Sequence, residues 1–305
     1  MAERGSTRTA SSAKRAAPKR TAPKRGASTK RRTSGASRPQ RPGTPSALGS
    51  LTGGRRLSDP HDREGQVALR GIGWAALVAL AVSIGPWPVA VVLGAVAGWA
   101  AWEIAEASAA TGLPADRYLS ASLAAALPLI AWFDTAAAGA LLIVGTAGAV
   151  AVAWQLRPES TPLMAAAGAG VAPWFFVGLA AAGPMFTWRT ELGAVVVLFA
   201  FVGIYDAGSH LVGVDAGSVW EGPVAGLVGV AVVAFAAAAI GIPPFDLGGV
   251  AWFAVVAAAT LPLGPVLASL LVPDGTASAV LRRLDSLLVI GLVWPLLVGL
   301  YVQSL

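Results

Sequence analysis

The sequence predicts an all-α, polytopic helical bundle that spans a membrane and follows a disordered basic tail. Residues 1–70 hold 17 of the 22 Lys and Arg residues but only four acids, whereas residues 71–305 hold five Arg, no Lys and twelve acids. Charged residues make up 12% of the whole chain, against roughly 25% in soluble domains. The second part therefore lacks the polar surface that water requires, and its apolar composition is typical of segments that lie in lipid.

The predicted tail covers residues 1–66. It consists mostly of Ser, Thr, Ala, Pro, Gly, Lys and Arg, and it repeats the tetrapeptide Ala-Pro-Lys-Arg at 17–20 and 22–25. Such a segment buries too little apolar area to offset the entropy lost on ordering. Its charge predicts a cytoplasmic N-terminus and a tether to anionic lipid headgroups. A solvated tail that only sets topology is the alternative. No nucleic-acid partner is expected, because no aromatic residue is interleaved with the basic ones.

Residues 67–305 form the predicted transmembrane domain. A span needs roughly 20 apolar residues, or fewer where two short helices share a bend. The motif Gly85-Pro86-Trp87-Pro88 divides one long apolar run, because proline interrupts helical hydrogen bonding. Nine spans are predicted, over residues 71–86, 88–106, 118–133, 136–155, 161–182, 190–206, 222–241, 247–271 and 284–303.

The distribution of arginine gives these spans a predicted orientation. With the tail in the cytoplasm, nine spans place Arg117, Arg157 and the arginine pair at 282–283 on the cytoplasmic side, and only Arg189 on the other. This distribution agrees with the excess of basic residues found in cytoplasmic loops. The same count puts two charged segments, 206–221 and 274–283, on the cytoplasmic face.

Acidic residues in these two segments are candidates for function, because carboxylates at membrane depth are costly unless they are paired, hydrated or bound to metal. Oxygen ligands at such a face suit Mg²⁺ and a phosphate-bearing substrate. Arg282 and Arg283 add guanidinium groups, whose geometry matches phosphate oxygens. The alternative is a pair of ordinary interfacial loops whose arginines extend towards water.

Four short motifs follow one another along residues 71–305. They are Trp99-Ala100-Ala101-Trp102-Glu103, the segment from Asp206 to Gly213, Trp220-Glu221-Gly222 with Gly226, and Leu281-Arg282-Arg283-Leu284-Asp285-Ser286. In content and order they resemble the phosphatidate cytidylyltransferase (CDP-diacylglycerol synthase) family. The resemblance implies a nucleotidyltransferase of phospholipid biosynthesis, which converts CTP and phosphatidate to CDP-diacylglycerol and pyrophosphate. It further implies the plasma (inner) membrane of a prokaryote as the location.

The resemblance also implies roles for individual residues. Asp206 and Asp285 would be the catalytic acids. The ligands of Mg²⁺ would be Asp206, Glu221 and Asp285. The substrate contacts would be Arg283, Ser286 and Trp220. CTP and phosphatidate would be the bound partners, and a homodimer is a further expectation.

The chain departs from the family pattern at the final motif. The first Asp of that motif is Arg282 here, and Gly264-Pro265 stands where the family has Gly-Asp. An arginine in place of an acid removes a metal ligand and adds a repelling charge. These departures give the alternative function, a non-catalytic relative that keeps the fold and binds lipid or a partner protein.

Overall fold

The computed structural model describes residues 64–213, 217–218, 220–272, 278 and 280–305, with side chains from residue 71 onwards. The predicted tail lies outside these ranges, except that residues 64–66 belong to the first helix. Within them the chain is all-α and contains no strand, which confirms the predicted fold class. The helices are α1 Glu64–Ile84, α2 Pro86–Ala110, α3 Arg117–Phe133, α4 Thr135–Leu156, α5 Leu163–Thr190, α6 Leu192–Gly213, α7 Glu221–Ile240, α8 Leu247–Thr260, α9 Leu263–Leu271 and α10 Leu287–Ser304, with a 3₁₀ turn at Leu281–Arg283.

The described residues form nine apolar helical segments, in agreement with the predicted number of spans. Seven are long and apolar enough to cross a membrane, and α8 and α9 together make one of them. The other two are the shorter apolar helices Gly71–Ile84 and Arg117–Phe133. The predicted break between the first two spans falls at Gly85, whose φ of 143° is a backbone conformation that favours glycine, and Pro86 then starts α2. The protein is therefore an integral membrane protein by the length and composition of its helices.

Two helices extend beyond the spans predicted for them. The fifth span was predicted to end at residue 182, but α5 continues to Thr190 and keeps Pro184 inside the helix. The sixth was predicted to end at residue 206, with Asp206 opening a loop, but α6 continues to Gly213. The prediction was wrong here because it ended the fifth span before Gly183-Pro184 and the sixth at the first acid, whereas α5 accommodates the proline and α6 carries the acid within the helix.

Helix α5 lies at the centre of the bundle. It packs against α2, α3, α4, α6 and α10. A glycine allows the closest of these approaches, since a Cβ added to Gly183 would overlap the carbonyl oxygen of Gly291 on α10. The core around this contact contains the fully buried aromatic side chains of Trp174, Phe201 and Trp294. The position of α10, which follows the final motif, is thus set by backbone contact with the central helix.

Hydrogen bonds and close contacts assign each loop to one of two ends of the bundle. At the end that we call the site end, Arg117 at the start of α3 pairs with Glu106 near the end of α2, at 3.0 Å. The end of α6 meets the start of α7 there, where a Cβ on Gly222 would be 3.1 Å from the Gly213 Cα. At the distal end, the Tyr301 hydroxyl of α10 donates to Asp246, at the start of α8, over 3.0 Å. The helices therefore run up and down between two chemically different ends.

Candidate functional site

Asp206 is placed by the buried face of α6. This face consists of apolar and aromatic residues that end with Phe201, Val202 and Tyr205, which pack into the core. Asp206 follows directly and is partly buried. Seven residues separate it from the end of the helix at Gly213, which at 1.5 Å per residue is about 10 Å along the axis. The carboxylate is therefore set back by about two helical turns from the end of α6.

Asp285 and Ser286 are placed by the 3₁₀ turn that precedes them. Leu281 and Leu284 on this turn are buried, and the Leu284 amide donates to the Leu281 carbonyl oxygen at 2.9 Å. The backbone is enclosed on another side by α9, because a Cβ on Gly264 would overlap the Asp285 carbonyl oxygen. The Ser286 amide donates to the Asp285 carboxylate at 2.7 Å. Both side chains are thus presented from a packed segment immediately before α10.

The hydroxyl of Ser286 joins the two carboxylates. It donates to Oδ1 of Asp206, a residue 80 positions away in the sequence, and it lies 3.4 Å from Oδ1 of Asp285. A serine hydroxyl has one proton and two acceptor lone pairs, so it donates to one carboxylate at a time. We call Asp206, Asp285 and Ser286 the carboxylate pair with its bridging serine. The structure brings these three sequence-predicted residues together.

Two arginines lie next to the carboxylate pair. Arg283 interacts electrostatically with Asp206, and Arg282 interacts in the same way with Asp285. Arg283 also faces α1, where its Nη1 would lie 4.0 Å from a Cβ on Gly71. Interaction with a group of opposite charge relieves the cost of placing a carboxylate at membrane depth. The predicted phosphate contact Arg283 therefore belongs to the same site as the two acids.

Glu221 and Trp220 lie at the mouth of this region. Glu221 is an exposed residue that begins α7, and Trp220 is 52% exposed. The next residue, Gly222, packs against the last turn of α6, because an added Cβ would be 2.6 Å from the Ser209 carbonyl oxygen and 3.1 Å from the Gly213 Cα. Glu221 therefore lies nearer to the end of α6 than Asp206 does. In the part of the chain that the structure describes, no group of three or more His, Asp or Glu side chains is arranged to hold a metal ion. The structure thus unites two of the three predicted ligands, and the metal role of Glu221 stays a prediction.

The residues that are united still fit Mg²⁺ that arrives with a substrate. The site supplies oxygen ligands, from the Asp206 and Asp285 carboxylates and the Ser286 hydroxyl. Mg²⁺ is usually held by one or two carboxylates, with water and substrate phosphates as its other ligands. Two carboxylates beside a guanidinium group are a donor set for a metal–phosphate complex rather than for a closed metal cage.

A second polar contact lies near the site, between residues without a predicted role. Ser278 donates to Glu103 of α2 at 2.6 Å, and the Leu281 amide of the 3₁₀ turn donates to Ser278 at 2.9 Å. Glu103 is the last residue of the first motif. The sequence feature that could have identified it as a candidate is a carboxylate within a helix that is apolar enough to cross a membrane.

No protein-family model, curated protein or solved structure matches this chain. The likeness to the phosphatidate cytidylyltransferase family therefore rests on the four motifs and their order.

Proposed function

We propose that this protein is a membrane-embedded nucleotidyltransferase of the phosphatidate cytidylyltransferase type. The single observation that carries the proposal is the meeting of Asp206 and Asp285 through Ser286, with Arg283 beside them. These residues come from two of the four motifs that resemble the family. One acid within α6, and a second acid and an arginine on the segment before α10, set back from one end of a membrane bundle, are suited to bind a metal–phosphate complex.

The proposed reaction joins a lipid phosphate to a nucleotide. An oxygen of phosphatidate forms a bond to the α-phosphorus of CTP while the bond between the α- and β-phosphates breaks, so that pyrophosphate leaves and CDP-diacylglycerol is formed. No nucleophile from the protein is needed, and catalysis consists of positioning and charge stabilisation. Bound Mg²⁺ would supply neutralisation of the phosphate charge.

The residues of the chain divide this work between them. The Arg283 guanidinium orients phosphate oxygens through paired N–H groups. The carboxylates of Asp206 and Asp285 would hold the metal–phosphate complex, and the Ser286 hydroxyl links the two carboxylates. Trp220 and Glu221 at the mouth of the site are the proposed contacts for the nucleotide as it enters. The depth of about 10 Å below the end of α6 suits a site shared by a lipid headgroup and a water-soluble substrate.

The site end is proposed to face the cytoplasm of a prokaryotic cell across its plasma membrane. Four of the five arginines that follow residue 71 lie in segments at this end, and cytoplasmic loops carry an excess of basic residues. The basic tail would lie on the same side and bind anionic lipid, with roughly 1 kcal/mol per basic residue near the surface. A reporter fused after Leu305 should then be found outside the cytoplasm. A homodimer remains an expectation.

A non-catalytic relative is the second candidate. The observation that favours it is Arg282, which interacts with Asp285 from the position where the family has an acid. Such a protein would keep the bundle and use the arginine pair to bind lipid phosphate or a partner protein.

A labelled CTP assay separates the two candidates. The purified full chain in detergent would receive phosphatidate, CTP and Mg²⁺, and lipid-linked label would be counted. The enzyme proposal expects metal-dependent product from the unaltered protein, none above background from Asp285→Ala, and unchanged product from Asp246→Asn at the distal end. Absence of both turnover and CTP binding with any divalent metal would reject the enzyme. Turnover that survives loss of both Asp206 and Asp285 would reject the site.

A further inference from the structure

We propose that Glu103 of α2 is a positioning residue for this site, acting through Ser278 on the turn that carries Arg283. The proposal deepens the proposed function and rests on it for the role of Arg283. Glu103 does not belong to the carboxylate pair. It is the last residue of the Trp-Ala-Ala-Trp-Glu motif, to which the reaction described above gives no role.

The link is a continuous chain of three hydrogen bonds. The Trp99 indole N–H donates to Oε1 of Glu103 at 2.9 Å, and the Ser278 hydroxyl donates to Oε2 of the same carboxylate at 2.6 Å. The Leu281 amide then donates to the Ser278 hydroxyl oxygen at 2.9 Å. Both carboxylate oxygens are thus used, and the charge is held by donors from α2 itself and from a residue 175 positions away.

Ser278 precedes the 3₁₀ turn, whose N-cap position is Val280, and holds the first residue of the turn. Its hydroxyl accepts from the Leu281 amide, one of the first amides of a helical turn, which have no acceptor within the turn. Ser278 is also buried, with 8% of its surface exposed. A buried hydroxyl that accepts one hydrogen bond still needs an acceptor for its own proton. Glu103 is that acceptor, and it therefore holds the Ser278 hydroxyl in the orientation in which its oxygen accepts from the Leu281 amide.

The turn is held at both ends by carboxylates on other helices. Glu103 binds Ser278 before it, and Asp206 binds Ser286 after it. Arg283 lies between these two attachments and interacts with Asp206. Without the bond between Glu103 and Ser278, the turn is held by its buried leucines and by the bond between Ser286 and Asp206. The expected consequence is a misplaced guanidinium, which weakens nucleotide binding more than it slows the chemical step.

The chain offers matched variants for a test. Glu103→Ala and Ser278→Ala each remove the link, whereas Ser278→Thr keeps the hydroxyl. Glu106→Gln is the control, because Glu106 lies one turn further along α2 and pairs with Arg117 on the surface, at 3.0 Å. Hydrogen exchange of the backbone amides at 281–286 in the full chain in detergent reports the turn directly and does not depend on activity.

The exchange of these amides should be roughly tenfold faster in Glu103→Ala and Ser278→Ala, in proportion to one lost buried hydrogen bond. Ser278→Thr and Glu106→Gln should exchange like the unaltered protein. In CTP assays the two alanine variants should raise KM for CTP roughly tenfold with a smaller change in kcat. The double alanine variant should be no worse than the more impaired single variant, because both changes break one link.

Unchanged exchange at 281–286 in both alanine variants would overturn the inference, as would equal acceleration in Glu106→Gln. Faster exchange with unchanged KM and kcat would overturn the positioning role and leave the proposed function standing. If the unaltered protein neither turns over nor binds CTP, the proposed function fails by itself. In that case the exchange rates alone decide whether Glu103 fixes the turn.

Discussion

The two ends of the bundle differ in their described aspartates. Both ends carry helix N-caps, such as Asp116 at the start of α3 at the site end, but only the site end also carries aspartates that cap no helix. At the distal end, Asp134 and Asp246 are N-caps of α4 and α8, and each accepts a hydrogen bond from a backbone amide of the following turn. These amides hold the pKa of both exposed carboxyls below the usual range. At the site end, Asp206 lies within α6 and Asp285 precedes the N-cap of α10, and the two meet through Ser286. Helix capping explains the distal acids and does not explain the other two.

Arg189 and Arg283 show the same contrast between a structural residue and one that no helix end explains. At the distal end, Arg189 donates to the Trp132 carbonyl oxygen at 3.3 Å and interacts electrostatically with Asp134. It therefore links the end of α5 to the end of α3. At the site end, Arg283 interacts with an acid that is not needed to end or begin a helix. A charged residue in a membrane bundle is therefore a functional candidate when neither helix capping nor a surface ion pair explains its position.

The largest expected effect is the loss of either acid of the carboxylate pair. Asp206→Ala or Asp285→Ala should lower kcat for CTP transfer by about 100-fold or more, because each removes a carboxylate that would hold the metal that neutralises the phosphate charge. Asp134→Asn and Asp246→Asn should change kcat by less than about twofold, since they alter only caps at the other end. Steady-state assays on the four variants check this difference. Equal losses at both ends would remove the functional distinction between them.

The bridging serine should have the next largest effect. Ser286→Ala removes the hydroxyl that joins the two carboxylates, and a hydrogen bond to a charged group contributes about 1.5–3 kcal/mol. A fall in kcat/KM of about 10- to 100-fold is therefore expected, with Ser286→Thr closer to the unaltered protein. Parallel measurements with Ser304→Ala on the last helix of the distal end give the control. If alanine at 286 leaves kcat/KM unchanged, the serine is not part of the site.

Two closely packed glycines, one at each end of the bundle, allow the effect of overpacking to be compared between the ends. A Cβ on Gly264 would overlap the Asp285 carbonyl oxygen, and a Cβ on Gly193 would overlap that of Pro243 at the distal end. Both alanine variants should lose about 1–3 kcal/mol of stability through overpacking. Only Gly264→Ala should also lower kcat/KM, because it displaces Asp285. Thermal unfolding in detergent, together with CTP assays on the folded fraction, measures the two effects separately.

The smallest effect concerns the charge on the distal caps. Because the pKa of Asp246 is lower in the folded protein than in the unfolded chain, ionised Asp246 stabilises the fold above the unfolded pKa of about 3.9. This stabilisation is lost as pH falls through the lower, folded value. Asp246→Asn should therefore melt slightly below the unaltered protein at pH 7, and the difference should shrink as the pH falls below the unfolded pKa of about 3.9. A constant difference in Tm over this range would contradict the assignment.

The sequence allowed the apolar architecture to be predicted because each span must meet a length requirement by itself. The break at Gly85, the nine segments and the odd charge distribution all follow from local composition. Helix ends were harder to predict. The prediction placed Asp206 in a loop, yet α6 continues to Gly213 because a neighbouring helix packs closely there and Ser286 satisfies the acid.

The sequence by itself determined which residues are chemically exceptional, since any acid or arginine is rare after residue 71. It did not determine which of them meet. The tertiary structure joins Asp206 to Asp285, leaves Glu221 exposed at the start of α7 and connects Glu103 to Ser278. These outcomes depend on how closely glycines let α6, α9 and α10 approach their neighbours. They also depend on two long-range contacts, one between residues 80 positions apart in the sequence and one between residues 175 positions apart. Local sequence patterns carry no information about such separations, so only the packed bundle decides them.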